Sequence, residues 1–207
     1  MEHNVINLKK GQKVRVGFYD MTVGLGWDPN PGTGYDFDLD VSAMMVDKNR
    51  RLPSADFFIF YNNLCGNGHD TDNCTCEVGQ YGVLHTGDDP TGGVSDHGDD
   101  EAIKVDLNKV PADIEEIIFV VTINDAKIRN NQNFGQVKNA YIRLVDNKTN
   151  QEVMKYELNE DFSIETGVEF GRLYKRNSEW KFDAIGVGEE KELDFFVDKY
   201  FNGAIIK

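Results

Sequence analysis

The chain has 207 residues, with 36 Asp and Glu against 22 Lys and Arg and a formal charge of −14. So acidic a surface repels phosphate backbones and excludes nucleic acid as an expected partner. Thirteen Phe and a 40% hydrophobic fraction suffice for a sizeable core, so the composition is that of a folded rather than a disordered chain. The polar start MEHNVINLKKGQ and the lack of a bilayer-length apolar run predict a cytoplasmic protein.

In chain order, alternating or apolar β-rich runs predict strands at Val14–Tyr19, Phe37–Val46, Asp56–Tyr61, Ile103–Leu107, Glu116–Ile123, Ala140–Val145, Glu152–Leu158, Val168–Tyr174 and Trp180–Val187. Turn-forming stretches such as DPNPGTG, DKNRRLPS, DNKTNQ and KRNSE separate them. The run EIIFVVTI is almost wholly apolar, as suits a central strand covered on both faces. Many short strands at this spacing predict a mainly β fold, a sandwich of two antiparallel sheets in one domain over 1–207. Near the end, Leu193, Phe196, Val197, Tyr200 and Phe201 fall at helical spacing. We expect a helix there that plugs one sheet, with Glu189 and Glu190 in its first turn and Gly203 as its terminator.

The segment YDFDLDVSAMM carries the chemistry. If it is a strand, Phe37, Leu39, Val41, Ala43 and Met45 share the core face. Asp36, Asp38, Asp40 and Ser42 then share the other. Same-face neighbours lie roughly 7 Å apart, close enough for two carboxylates to reach one hard cation. Asp at alternate positions also imitates the start of an EF-hand, but the Gly that turns that loop is replaced by Val41. A second acidic cluster, GDDPTGGVSDHGDDE, contains Asp88, Asp89, Asp99, Asp100 and Glu101 among glycines. All-oxygen donors favour Ca²⁺ or Mg²⁺ over Zn²⁺, and a crowded site favours Ca²⁺. The bland alternative is a solvated acidic face.

The segments GLGWDPNPGTGYDFDLDVSAMMVD, SADFFIFYNNL, HTGDDPTG, GDDEAIKVDLNKVPADIEEIIFVVTINDA and YELNEDFSIETGVEFGRLYKRNSEWKFDAIG, taken in order, resemble the TerD family of tellurite-resistance and stress-response proteins. The resemblance covers nearly the whole chain. It implies a calcium-binding β-sandwich, with about two Ca²⁺ held through Asp38 and Asp40 of FDLD and Asp99, Asp100 and Glu101 of GDDE. Asp88 and Asp89 of HTGDD, Asn62 of YNN, Asp28 of GWD and Asp36 complete the candidate set. The resemblance also implies partners among other tellurite-resistance (Ter) proteins, including a membrane partner.

Two features depart from the family pattern: an extended TG…GDDE loop and an insertion at 65–84 that holds all three cysteines. Cys65, His69, Cys74 and Cys76 make a candidate zinc set, although the C-x-C spacing is tighter than usual. The alternative is a loop with free thiols.

Other classes of function can be weighed on the same residues. A metal-dependent hydrolase or phosphoesterase could use the carboxylates, with His85 or His97 as acid–base groups. No nucleophile elbow, phosphate loop or H-E-x-x-H motif supports that reading. Calcium-dependent membrane docking would use Trp27 at an acidic tip, but a chain this acidic is expected to make no direct contact with anionic lipid. The expectation is a non-enzymatic protein in which Ca²⁺ orders acidic loops into a docking surface.

Overall fold

The structure, a computed structural model, describes residues 5–32, 34–68, 76, 79–93, 98–158, 162–177 and 179–201. Two sheets face each other. The first is ordered β1 (Ile6–Asn7), β10 (Gln151–Glu157), β9 (Tyr141–Asp146), β3 (Asp20–Gly26), β7 (Glu101–Asp106), β6 (Val83–His85). The second is ordered β2 (Lys13–Arg15), β12 (Glu179–Asp183), β11 (Gly167–Arg176), β8 (Glu116–Ile123), β4 (Leu39–Val46), β5 (Phe58–Ile59). A short β13 (Val187–Glu189) also pairs with β11. The fold is mainly β, as expected. The pairing is antiparallel except that β1 runs parallel to β10, which makes the first sheet mixed.

The central strands show why the layers form. Along β4, Leu39, Val41, Ala43 and Met45 enter the core between the sheets, together with Ile117, Phe119, Val121 and Ile123 of β8. The alternate residues Met44, Val46, Ile118 and Val120 would be exposed on an open sandwich. Helix α1 (Leu193–Tyr200) instead lays Phe196 and Tyr200 over them. All eight residues of β4 are therefore buried, which accounts for runs with so few polar positions. Removing a ring such as Phe196 from water contributes about 2–3 kcal/mol. The end of α1 is tied down by Tyr200, whose hydroxyl donates to Glu169 Oε1 at 2.8 Å and whose carbonyl accepts from Leu52 N at 2.9 Å.

Several boundaries differ from expectation, each for a local reason. β3 is unpredicted, because Gly24 and Gly26 lower its strand propensity. A Cβ on Gly24 would lie 2.1 Å from the Asp99 carboxylate carbon, so this glycine clears the way for a side chain crossing the outer face. The strand expected at Val14–Tyr19 is only β2, Lys13–Arg15. The strand expected at Asp56–Tyr61 becomes a 3₁₀ turn, Ala55–Phe57, and the two residues of β5. The run Trp180–Val187 is split into β12 and β13, with Gly186 at φ +59° between them. Glu189 ends β13 rather than opening the helix, and Asp194 is the acid in the first helical turn. Phe201 is an extended cap, and Gly203 lies outside the described residues. Among the described residues no helix is long and apolar enough to cross a membrane.

Candidate functional site

β4 begins at Leu39, so Asp36 and Asp38 precede the strand rather than lie on it. Asp38 nevertheless extends the β4–β8 ladder, its carbonyl accepting from Asn124 N at 2.8 Å. Its side chain therefore projects on the same side as that of Asp40, which sits opposite Thr122. Both carboxylates are only 3% exposed. This is not the solvated acidic face of the bland alternative.

The third carboxylate arrives from the other sheet. Glu101, the first residue of β7, is 1% exposed and accepts from Val41 N at 2.8 Å and from Asp89 N at 3.2 Å. It thereby straps the loop after β6 against β4. That loop carries Asp88, which is exposed. Asp38, Asp40 and Asp88 offer carboxylate oxygens that all lie within 4.8 Å of one another. Three negatively charged oxygen donors at this separation fit a hard divalent cation.

The electrostatics reflect this crowding. Burial pushes the Asp40 carboxyl well above its usual range, and the charges of Glu101, Asp38 and Asp88 push the same way. Among the described residues its side chain takes part in no hydrogen bond or ion pair. Asp88 is raised by partial burial and then by Asp38. Glu101 is raised by burial, against the pull of the amides of Val41 and Asp89. His85 Nδ1 accepts from Gly87 N at 3.1 Å, which leaves its proton on Nε2, 3.5 Å from Glu101 Oε2. Burial lowers this imidazole to about 4, so it stands beside Glu101 as a neutral ring. Tyr61, close to the same acids, is pushed up to about 12 by burial and then by Asp40.

The remaining candidates are placed elsewhere or held by other partners. Asp89 turns its own loop, accepting from Thr91 N, Thr91 Oγ1 and Gly92 N. Asp99 is gripped by Arg143, with Nε at 2.7 Å and Nη2 at 3.2 Å. Asp100 accepts from Trp27 N at 2.9 Å. Asp28 accepts from Asn139 Nδ2 at 2.7 Å, and Asp36 is exposed. Asn62, also exposed, lines a cavity that Asp40 lines as well. Trp27 is 4% exposed and donates from its indole to Phe37 O, so it packs on its own loop and presents no ring for membrane insertion. In the insertion, Cys65 Sγ donates to Asn67 Oδ1 and Asn67 Nδ2 donates to Cys76 Sγ at 3.8 Å. His69 and Cys74 lie outside the described residues.

Two residues that the sequence reading passed over shape the cluster. Arg129 Nη2 and Asn124 Nδ2 both donate to Asp38 Oδ2, each at 3.0 Å. They come from the loop after β8, which is bent by left-handed Asp125, Asn130 and Asn131. No spacing marks them. Their only signal is position: the loop that follows the β4 partner strand must pass the start of β4.

The protein-family model that matches, over residues 5–200, is that of the TerD domain. General stress protein 16U of Bacillus subtilis (strain 168) is 48% identical over 194 residues, spanning 91% of this chain and 93% of the relative. Tellurium resistance protein TerD of Serratia marcescens is 45% identical over 188 residues, spanning 88% and 90%. Among solved structures, a homologue of telluride resistance protein (TerD) from Streptomyces coelicolor A3(2) superposes with a TM-score of 0.65 at 17% identity, covering 87% of this chain and 95% of that one. This last likeness speaks for the fold alone.

Proposed function

The chain belongs to the TerD family of tellurite-resistance and stress-response proteins, and from that premise we propose that it is a non-enzymatic calcium-binding member. The observation that carries the reading is the meeting of Asp38, Asp40 and Asp88, with a buried Asp40 carboxylate that takes no hydrogen bond or direct ion pair among the described residues. A like-charged cluster of this kind destabilises the fold unless a cation enters it. A bound divalent ion would supply positive charge and hard coordination there. Asp38 and Asp40 would hold it from the second sheet and Asp88 from the first. The loop after β6 would then be fastened to β4 by charge as well as by Glu101. In this reading the ordered acidic loops form a docking surface, and the partners are other tellurite-resistance proteins, one of them membrane-bound. A second Ca²⁺ and a zinc ion at the cysteine insertion belong to the same proposal.

Calorimetric titration tests it. Ca²⁺ should bind with saturation and raise the melting temperature far more than equal Mg²⁺. At a hundred times the dissociation constant, each site would add about 2.7 kcal/mol. Identical melting curves in calcium and in chelator would remove the reading. Divalent-dependent turnover of a phosphoester that disappears in Asp40→Asn would replace it with a hydrolase. The zinc part is checked by metal analysis and by the resistance of the thiols to alkylation.

A further inference from the structure

Beside the carboxylate cluster, on the outer side of β4, lies a cavity of about 290 Å³. It is bounded by the start of β4, the turn after β5, the loop after β8 and the start of α1. One wall is aromatic, formed by Phe60 and Tyr61, whose rings meet edge to face at 5.1 Å. The lining also carries four carboxylates, Asp40, Asp125, Glu192 and Asp194, and among the described residues no Lys or Arg. The start of a helix ordinarily favours an anion, but here Glu192 already stands at the N-cap position and Asp194 in the first turn. Asp40, 3% exposed and with no hydrogen bond or direct ion pair among the described residues, is the acid that belongs to both the cavity and the cluster.

These features select a ligand class. Four acids exclude an anion, and the aromatic wall gives a hydrated monovalent ion nothing that water does not. An ammonium group on a short alkyl chain satisfies both. Its charge meets the carboxylates, its hydrogens stay within reach of ring faces, and its methylenes cover apolar surface. The volume is at the small end of ligand pockets and suits a fragment-sized group.

We propose that this cavity binds the ammonium end of a primary alkylamine, with Asp40 as a counter-ion shared with the carboxylate cluster, so that amine and calcium exclude one another. The amine site stands on the cavity alone; the exclusion rests on the calcium reading above. A free polyamine and the lysine side chain of a protein partner present the same chemistry.

NMR mapping of the amide resonances, at constant ionic strength in chelator, tests it with putrescine, a blocked lysine and neutral butanol. Saturable shifts at Tyr61, Asn62, Leu193 and Val197 are expected for an amine and not for butanol. Binding by putrescine alone supports a polyamine, and binding by blocked lysine alone supports a protein partner. Asp125→Asn combined with Glu192→Gln should weaken binding about five- to tenfold. Both positions are exposed, and Asn tolerates the left-handed backbone of Asp125, so the fold is not at risk. Saturating calcium should weaken the amine about tenfold or more. The proposal is overturned if no saturable shift appears at roughly millimolar amine. It is also overturned if butanol binds equally, or if the shifts spread over the whole acidic surface. Amine binding that calcium leaves unchanged, in protein shown by calorimetry to bind calcium, overturns the shared counter-ion. If calorimetry finds no calcium binding at all, only the calcium reading falls, because the amine arm is measured in chelator.

Discussion

Arg129 holds Asp38 by a 3.0 Å contact from Nη2 to Oδ2, with Asp38 almost wholly buried and Arg129 about one-quarter exposed. A basic residue on a neighbouring loop thus occupies one side of an acidic cluster that is otherwise short of positive charge. Arg129 offsets part of the repulsion on Asp40 as well.

That arrangement makes Arg129 a competitor of any incoming cation. Arg129→Gln should lower the melting temperature in chelator. It should also tighten calcium binding about fivefold, since one positive charge near the site is removed. Calorimetry on the two proteins decides it. Weaker binding in Arg129→Gln would mean that the arginine positions Asp38 instead of opposing the ion.

The raised carboxyls of Asp40 and Glu101 set a pH dependence. A carboxyl raised on folding stabilises when protonated, fully so below its unfolded value of about 4, and the benefit disappears as pH rises through the folded value. His85 acts in the opposite sense. Its folded value of about 4 lies below the unfolded value, so its contribution is present above about pH 6.5 and erodes as pH falls. In chelator the carboxyls should therefore raise the melting temperature on acidification, with His85 opposing them below about pH 6.5. With saturating calcium it should fall instead, because protons displace the ion. Scanning fluorimetry in the two conditions gives the comparison, and parallel curves would contradict it.

Substitution separates the cluster from the other acids. Asp40→Asn should weaken calcium binding at least about tenfold, the cost of losing even an outer partner of a metal ligand. It should also raise stability in chelator, since a buried charge is removed. Asp99→Asn should leave calcium affinity unchanged and cost about 1–3 kcal/mol in denaturant unfolding, because Arg143 keeps Glu152 but loses the Asp99 carboxylate. Equal loss of calcium binding in both variants would extend the site to the GDDE loop.

Gly24→Ala offers a purely steric check. The added Cβ would collide with the Asp99 carboxylate and displace it from Arg143. The expected loss is about 1–3 kcal/mol with calcium affinity retained. Wild-type stability in this variant would show that the outer face of β3 relaxes freely.

Legibility in the sequence followed the amount of surface each residue buries. β4 and β8 were readable because nearly every residue packs against one of two cores. The helix was readable because Phe196 and Tyr200 recur at one turn and dock together. β1 and β6 were not, since two or three residues carry no period, and β5 was drawn too long for the same reason. β3 was hidden by glycines chosen for what crosses above them, Asp99 and Tyr141, which are distant in sequence. At the site, alternation correctly placed Asp38 beside Asp40. That Asp88 joins them, while Asp89, Asp99 and Asp100 serve loops and neighbouring strands, depends on the strap formed by Glu101. Arg129 lies 91 positions from Asp38 and enters through a loop path that no local pattern encodes.

Each sheet finishes on both sides in a strand of two or three residues: β1 and β6 in the first, β2 and β5 in the second. Such stubs expose too few consecutive amides and carbonyls to template a further strand from another molecule. At the stubs themselves, fibres and strand-exchanged pairs, which lengthen a sheet sideways, find little purchase. An assembly that meets one of these four stubs would be made through side chains and could be reversed without breaking a backbone ladder.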